Sequence, residues 1–263
     1  MAQRIDGVAR ILAIASGKGG VGKTTVAVNL ALALVGTGAH VGLFDADIYG
    51  PNVPLMLGIR RKRSAKGMLP VARADRESYI EPLERFGLKT MSLGLLVGEE
   101  DPVVPDSRFA GQMARQTLQD VRWGRLDYLL LDLPPGTGEP QQTLVRGIEI
   151  NGAVVVTTPQ DLSLLDAGRS LSLFRRAHIP ILGVIENMSY LHCPHCGEQV
   201  EVLHRSERRW AVEDEELPVL GRIPMDIAIS RGIDSGHPLM EASPDESAGG
   251  LFREIAETLV HRL

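Results

Sequence analysis

Gly17-Lys18-Gly19-Gly20-Val21-Gly22-Lys23-Thr24 is the stretch that decides the fold. Gly17, Gly22, Lys23 and Thr24 satisfy the pattern G-x-x-x-x-G-K-[ST]. Glycines there let the backbone turn its N–H groups inward around phosphate oxygens. A helix opening at the end of the loop adds its positive N-terminal end. Lys23 then reaches the β- and γ-phosphates and Thr24 holds Mg²⁺. The flanking sequence fits. Arg10-Ile11-Leu12-Ala13-Ile14-Ala15 reads as a buried strand. Thr25 to Val35 has helical apolar spacing at Val28, Leu32 and Val35, with Gly36 and Gly38 able to stop it. A glycine-rich turn without a ligand is the bland alternative, and the strand–loop–helix context argues against it. ATP with Mg²⁺ is the expected ligand.

Outward from the loop, buried strands alternate with helical segments. Val41 to Phe44 is a strand that ends in Asp45-Ala46-Asp47. Further strands are expected at Tyr128 to Leu131, Ala153 to Val156, Ile181 to Ile185 and Val219 to Ile223. This alternation implies a mostly parallel, doubly wound α/β sheet in three layers, a P-loop NTPase fold. A single domain over residues 1–263 is expected. Polar clusters close several strands, at Ser16-Gly17, Asp45, Asp132, Thr157 and Asn187. Ligands of open α/β sheets sit at the carboxyl ends of strands, so these clusters should converge. Asp132, ending Leu129-Leu130-Leu131, suits a carboxylate that holds Mg²⁺ through water. The stiff turn after it, Pro134-Pro135-Gly136-Thr137-Gly138, can bring Gly136 close to a γ-phosphate. Asp45 and Asp47, at i and i+2 of an extended segment, point the same way. One can join the Mg²⁺ shell while the other orients the attacking water. A pair of turn-forming aspartates is the alternative. Arg60 to Glu84 is charged and weakly patterned, an excursion from the sheet. Within it Arg60-Arg61-Lys62-Arg63 reads as a solvated loop rather than an anion-binding patch.

Bulk properties narrow the partners. The 263 residues carry 28 Lys+Arg against 33 Asp+Glu, a formal charge of −5. That balance speaks against broad nucleic-acid or anionic-membrane binding. No apolar run approaches the roughly 18 residues of a spanning helix. Met1 to Arg10 lacks the apolar core of a signal peptide. A cytoplasmic protein is expected.

The only two cysteines are Cys193 and Cys196. Cys-x-x-Cys can give two thiolates to one metal, form a redox pair, or be an inert turn. Zinc or an iron–sulfur cluster normally takes four ligands. One chain offers two thiolates, with His192, His195 and His204 nearby and read as flanking surface residues. A symmetric homodimer would supply four thiolates on its twofold axis. Structural zinc stays open beside a bridging cluster.

Lys18 adds an early lysine inside the loop. Lys18-Gly19-Gly20-Val21-Gly22-Lys23-Thr24-Thr25 resembles the deviant Walker A of the SIMIBI class, which includes MinD, ParA, the nitrogenase iron protein and the Mrp/ApbC carriers. Four further strings are similar to the Mrp/ApbC-type iron–sulfur carriers. They are Asp45-Ala46-Asp47-Ile48-Tyr49-Gly50-Pro51-Asn52-Val53-Pro54, Leu131-Asp132-Leu133-Pro134-Pro135-Gly136-Thr137-Gly138-Glu139, Thr157-Thr158-Pro159-Gln160-Asp161 and Glu186-Asn187-Met188-Ser189-Tyr190. Cys193-Pro194-His195-Cys196-Gly197 follows the same pattern. The resemblance runs from about Ile11 to the final helix. It implies an ATP hydrolase whose phosphate cradle spans Gly17 to Thr25. Lys18 would reach across a dimer to the partner's nucleotide, and Asp47 would orient water. Asn187 would read the adenine edge, and the segment around Pro224 would line the base. The Cys193–Cys196 loop, residues 190–200, would be a cluster-binding insertion. It would hold a labile [4Fe–4S] cluster at the dimer interface for transfer to apo iron–sulfur proteins. The chain departs from the pattern at Val104-Pro105-Asp106-Ser107-Arg108 and at Val202-Leu203-His204-Arg205-Ser206. It is also expected to start almost at its first strand, without the extra N-terminal domain of many members. A MinD- or ParA-type positioning ATPase and an electron-transfer reductase are the alternatives. The first needs a membrane tail or a basic DNA face. The tail from Gly250 to Leu263 has apolar Leu251, Phe252, Ile255 and Leu259 but balanced charges, and reads as a helix packed on its own core. The second uses separated single cysteines rather than a pair.

Overall fold

The computed structural model describes residues 2–59, 71–74, 77–96, 106–204, 211–212, 215–245 and 247–263. Eight strands form its central sheet: β1 (Val8–Ala15), β2 (Val41–Asp45), β3 (Leu83–Arg85), β4 (Leu88–Ser92), β5 (Leu126–Asp132), β6 (Gly152–Thr157), β7 (Ile181–Glu186) and β8 (Val219–Arg222). They lie in the order β8-β7-β6-β1-β5-β2-β4-β3. Neighbours are parallel except β3 and β4. β2 and β6 are buried from end to end, as unbroken runs such as Val154-Val155-Val156 require of strands covered on both faces.

The longer helices among the described residues are α1 (Lys23–Gly36), α2 (Ser107–Asp120), α3 (Glu139–Gly147), α4 (Asp161–Arg176), α5 (Ile227–Ser235) and α6 (Ser247–Arg262). Alternate strand residues go to opposite faces. Ala13, Phe44, Leu129 and Leu131 therefore join Leu118, Leu144 and Phe174 from α2, α3 and α4 in one core. Leu12, Leu43, Leu130 and Val154 join Leu30, Phe252 and Leu259 from α1 and α6 in the other. The expected three layers are present. α1 is buried without a break from Val26 to Leu34, because the sheet lies under it and α6, which also packs on β8, lies against it. Phe252, Ile255 and Leu259 of α6 are buried in this core, with Ile255 over Gly221 of β8. Among the described residues no helix is long and apolar enough to cross a membrane.

Two strand readings need correction. β4 was not expected, since Lys89 and Thr90 interrupt its apolar run. Both polar groups are satisfied within the fold: Lys89 Nζ donates to Trp123 O at 2.8 Å and Thr90 Oγ1 to Leu43 O at 3.1 Å. The excursion expected from Arg60 to Glu84 ends sooner than read. A hairpin of Val71–Ala74 and Glu77–Ile80 lies outside the sheet, but Leu83 and Glu84 belong to β3, its antiparallel edge. Arg60 to Arg63, Val104, Pro105, Arg205 and Ser206 fall outside the described residues.

Register places the chemistry. Asp45 at the end of β2 pairs with Asp132 of β5 on one side and with Ser92 of β4 on the other. Thr157 of β6 pairs with Glu186 of β7. The polar strand ends thus form one row along the carboxyl edge of the sheet.

Candidate functional site

The glycine loop leaves β1 at Ser16, and Val26 N–H donates to Gly22 O at 3.0 Å to begin α1. Gly22 has φ of 80°, a left-handed conformation, and a Cβ there would meet Asn187 Nδ2 at 2.2 Å. Gly17 is equally constrained, since its Cβ would lie 2.1 Å from the backbone carbon of Asp166 in α4. These two glycines let the loop pass between β7 and α4. Gly136 N–H donates to Ser16 O at 2.9 Å, tying the turn after β5 to the loop.

Lys23, Thr24 and Asp132 meet as the sequence suggested. Lys23 Nζ stands 2.5 Å from Asp132 Oδ1, and Thr24 Oγ1 donates to Asp132 Oδ2 at 2.6 Å. Lys23 is 6% exposed and Asp132 fully buried. Asp45, also fully buried, accepts from Ser92 Oγ at 2.9 Å, from Asp47 N at 3.2 Å and from Val53 N at 3.3 Å. Burial raises the Asp45 carboxyl, and the adjacent Asp132 charge raises it further. The Ser92 hydroxyl and the Lys23 ammonium pull it down, leaving it at about 7.

Two carboxylates thus face one ammonium in a dry site. A divalent cation suits this charge deficit, with Thr24, Asp45 and Asp132 as the groups able to hold it. Ser92 was missed with β4, although it ends its strand as Asp45 does.

Removing Lys23 has two consequences. Lys23→Ala deletes a charged phosphate donor, worth about 1.5–3 kcal/mol per hydrogen bond. It also strands a buried carboxylate, which costs about 3–5 kcal/mol of stability. Calorimetry should show Mg-ATP binding weakened by about tenfold or more, and the melting midpoint should fall. Unchanged affinity in folded variant would contradict the assignment.

Asp45 also carries a pH dependence. The folded protein keeps its proton up to about pH 7, whereas an ordinary aspartate releases it near 3.8. Between those values the folded state binds more protons, so stability falls as pH rises through the window. Asp45→Asn stays neutral throughout. In metal-free protein its melting midpoint should fall less than that of wild type from about pH 5 to 8. Parallel curves for the two proteins would refute this.

Asp47 differs from the sequence reading. β2 stops at Asp45, so Asp47 lies two residues beyond the paired strand. Asp47 Oδ1 accepts from Tyr49 N at 3.1 Å and from Gly50 N at 3.3 Å, which is the turn-forming alternative. It stays half-exposed beside the row of strand ends. Lys18 is half-buried, and its carbonyl accepts from Ser16 Oγ at 3.0 Å. Gly19 and Gly20 are exposed. Asn187 Nδ2 donates to Val21 O at 2.9 Å, so this side chain braces the glycine loop. Pro224 is buried on the neighbouring segment, which is joined to the 187–190 segment by Ser189 N to Ile223 O at 2.9 Å and Met225 N to Tyr190 O at 2.7 Å.

That 187–190 segment leads directly into a hairpin, Leu191–His192 paired with Gln199–Val200, whose tip carries both cysteines. Cys193 N–H donates to Glu198 O at 2.9 Å and Gly197 N–H to Cys193 O at 2.8 Å. Cys193 is half-buried and Cys196 exposed. Backbone N–H groups of Cys196 and His195, with the Cys196 thiol, lower the Cys193 thiol below its usual range. The turn thus favours the thiolate form of Cys193 over what an ordinary cysteine would show. Among the described residues no three His, Cys, Asp or Glu side chains gather to hold a metal.

A glycine loop between strand and helix, a lysine and threonine on one buried aspartate, and all of it at the carboxyl edge of a parallel sheet define a P-loop NTPase. The chain belongs, more narrowly, to the family described as ParA: NUBPL iron-transfer P-loop NTPase, whose model matches residues 7–260. It is 41% identical over 258 residues to the iron-sulfur cluster carrier protein of Aquifex aeolicus, covering 98% of this chain and 69% of that one. Among solved structures it is similar to a nucleotide-binding protein of Archaeoglobus fulgidus in complex with ADP. There the TM-score is 0.72 and the identity 34%, over 92% of this chain and 93% of that one. It is also similar to the septum site-determining protein MinD of Pyrococcus horikoshii complexed with Mg-ADP. The TM-score is 0.67 and the identity 26%, over 95% and 96% of the two chains.

Proposed function

We propose that this chain is an ATP-hydrolysing iron–sulfur cluster carrier. It holds a [4Fe–4S] cluster between the two chains of a homodimer and passes it to apoproteins. The observation that carries the reading is the Cys193–Cys196 hairpin, with a depressed thiol at an open tip, set directly after the segment that braces the glycine loop. Two thiolates per chain make half of a four-thiolate set, and a second chain completes it. The cluster is cargo here, and an open tip suits cargo that must leave. The name carried by the Aquifex relative supports this reading.

Each nucleotide residue then has a task. Gly17 to Thr25 cradle the phosphates and Lys23 neutralises them. Thr24, Asp45 and Asp132 hold Mg²⁺, which when bound neutralises charge on the phosphoryl oxygens. Asp47 orients the attacking water. Lys18 enters the partner's site and stabilises charge that develops during transfer. Asn187 and Pro224 border the place for the base. A membrane-positioning role is disfavoured by α6, whose apolar side is buried in the core it shares with α1 and β8. The test is anaerobic reconstitution followed by mixing with an apo [4Fe–4S] protein. The acceptor should gain its cluster, with a rate that depends on Mg-ATP. Failure of the loaded protein to transfer would sink the carrier reading.

A further inference from the structure

Beside the nucleotide site lies a cleft of about 490 Å³ between the 47–50 loop and the start of α3. Asp47, Tyr49 and Gly50 form one wall, and Pro134, Pro135 and Gln141 belong to the other. Gln141 is fully buried, yet neither its Oε1 nor its Nε2 has a hydrogen-bond partner. A buried primary amide with both ends unpaired disfavours the folded state, and an apolar side chain of similar volume would avoid that penalty. Tight packing behind it holds Gln141 in place. A Cβ at Gly111 of α2 would lie 3.0 Å from Pro140 Cα and 2.9 Å from Thr143 Oγ1, so α3 has no room to move back. The opposite wall is a surface turn, where the half-exposed Asp47 spends one carboxylate oxygen, Oδ1, on the amides of Tyr49 and Gly50.

We infer that Gln141 is a positioning residue for Asp47: its Nε2–H donates to the Asp47 carboxylate when bound nucleotide draws the two walls of the cleft together. In this structure both polar atoms of the amide are buried without a partner, and the Asp47 carboxylate across the cleft is the group that closure would bring to it. Asp47 can then accept a proton of the attacking water in a fixed orientation rather than a mobile one. The assignment rests on the proposed hydrolysis and adds to it the group that orients its water-binding carboxylate.

The test uses full-length protein with Gln141→Leu and, as a second volume match of unbranched shape, Gln141→Met. Turnover, the concentration of Mg-ATP at half-maximal rate, and the melting midpoint are measured for each. The expected result is a turnover lower by about tenfold or more, an unchanged half-maximal concentration, and a melting midpoint equal to or above wild type. A residue that served only packing would not lose turnover while holding or gaining stability. In the Asp47→Asn background either substitution should change turnover by less than about twofold, because the two groups act as one. Wild-type turnover in Gln141→Leu or Gln141→Met overturns the inference. So does a full further loss on top of Asp47→Asn, and so does a lowered midpoint in both variants. Wild-type protein that hydrolyses no ATP overturns the hydrolysis reading itself, a distinct outcome.

Discussion

Cys193→Ala or Cys196→Ala will abolish the bound cluster and leave Mg-ATP affinity within about twofold of wild type, as expected for sites that share no partners. The argument is one of ligand supply. The chain has two cysteines and no third donor gathers near them among the described residues. Three thiolates from a mutated and an intact pair, or two from a doubly mutated dimer, cannot fill a four-thiolate set. Folding should survive, because the hairpin of residues 191–200 contributes nothing to either apolar core. Anaerobically reconstituted wild-type protein should contain about four irons per dimer and absorb broadly near 400 nm. Both features should vanish in either variant. Stoichiometric zinc without iron after anaerobic purification would replace cargo by a structural metal. A cluster kept by a monomer in native mass spectrometry would defeat the bridging arrangement.

The second large effect belongs to Lys18. Lys18→Ala should lower turnover by about 10³-fold or more, the range of a cationic finger supplied in trans, with Mg-ATP still bound. The two lysines of the loop occupy different environments. Lys23 is sealed against Asp132, whereas Lys18 lies beside the exposed Gly19 and Gly20, and no carboxylate among the described residues holds it. The proposed trans role asks for such a cation, one not committed to a carboxylate of its own chain. Mixing Lys18→Ala protein with Lys23→Ala protein should restore turnover, since a mixed dimer joins one intact cradle to the other chain's Lys18. Two inactive variants that stay inactive together would remove the trans assignment.

Much of this was legible because it is local. Strand, glycine loop and helix are contiguous, so Gly17 to Thr24 declare their geometry within a few residues. The place of Asp132 beside Lys23 and Thr24 was legible from an apolar run that ends in a carboxylate. What stayed hidden depends on register and on side-chain partners. β4 is masked by Lys89 and Thr90, whose bonds to Trp123 and Leu43 exist only once the sheet is built. With β4 lost, Ser92 was lost too. The turn in which Asp47 Oδ1 accepts from Tyr49 and Gly50 was not legible either, because periodicity cannot say where a strand stops. Gln141 looks like any helix glutamine, and only its burial without partners distinguishes it.

On the proposed assignment of Mg²⁺ to Asp45, the register that sets Asp45 against Asp132 makes the proton a third participant in nucleotide loading. A carboxyl poised at about 7 is partly protonated near neutrality, and a divalent cation in its place must expel that proton. Loading therefore liberates acid and is favoured in alkaline surroundings. The heat of binding then carries a contribution from whichever buffer captures the released hydrogen ion.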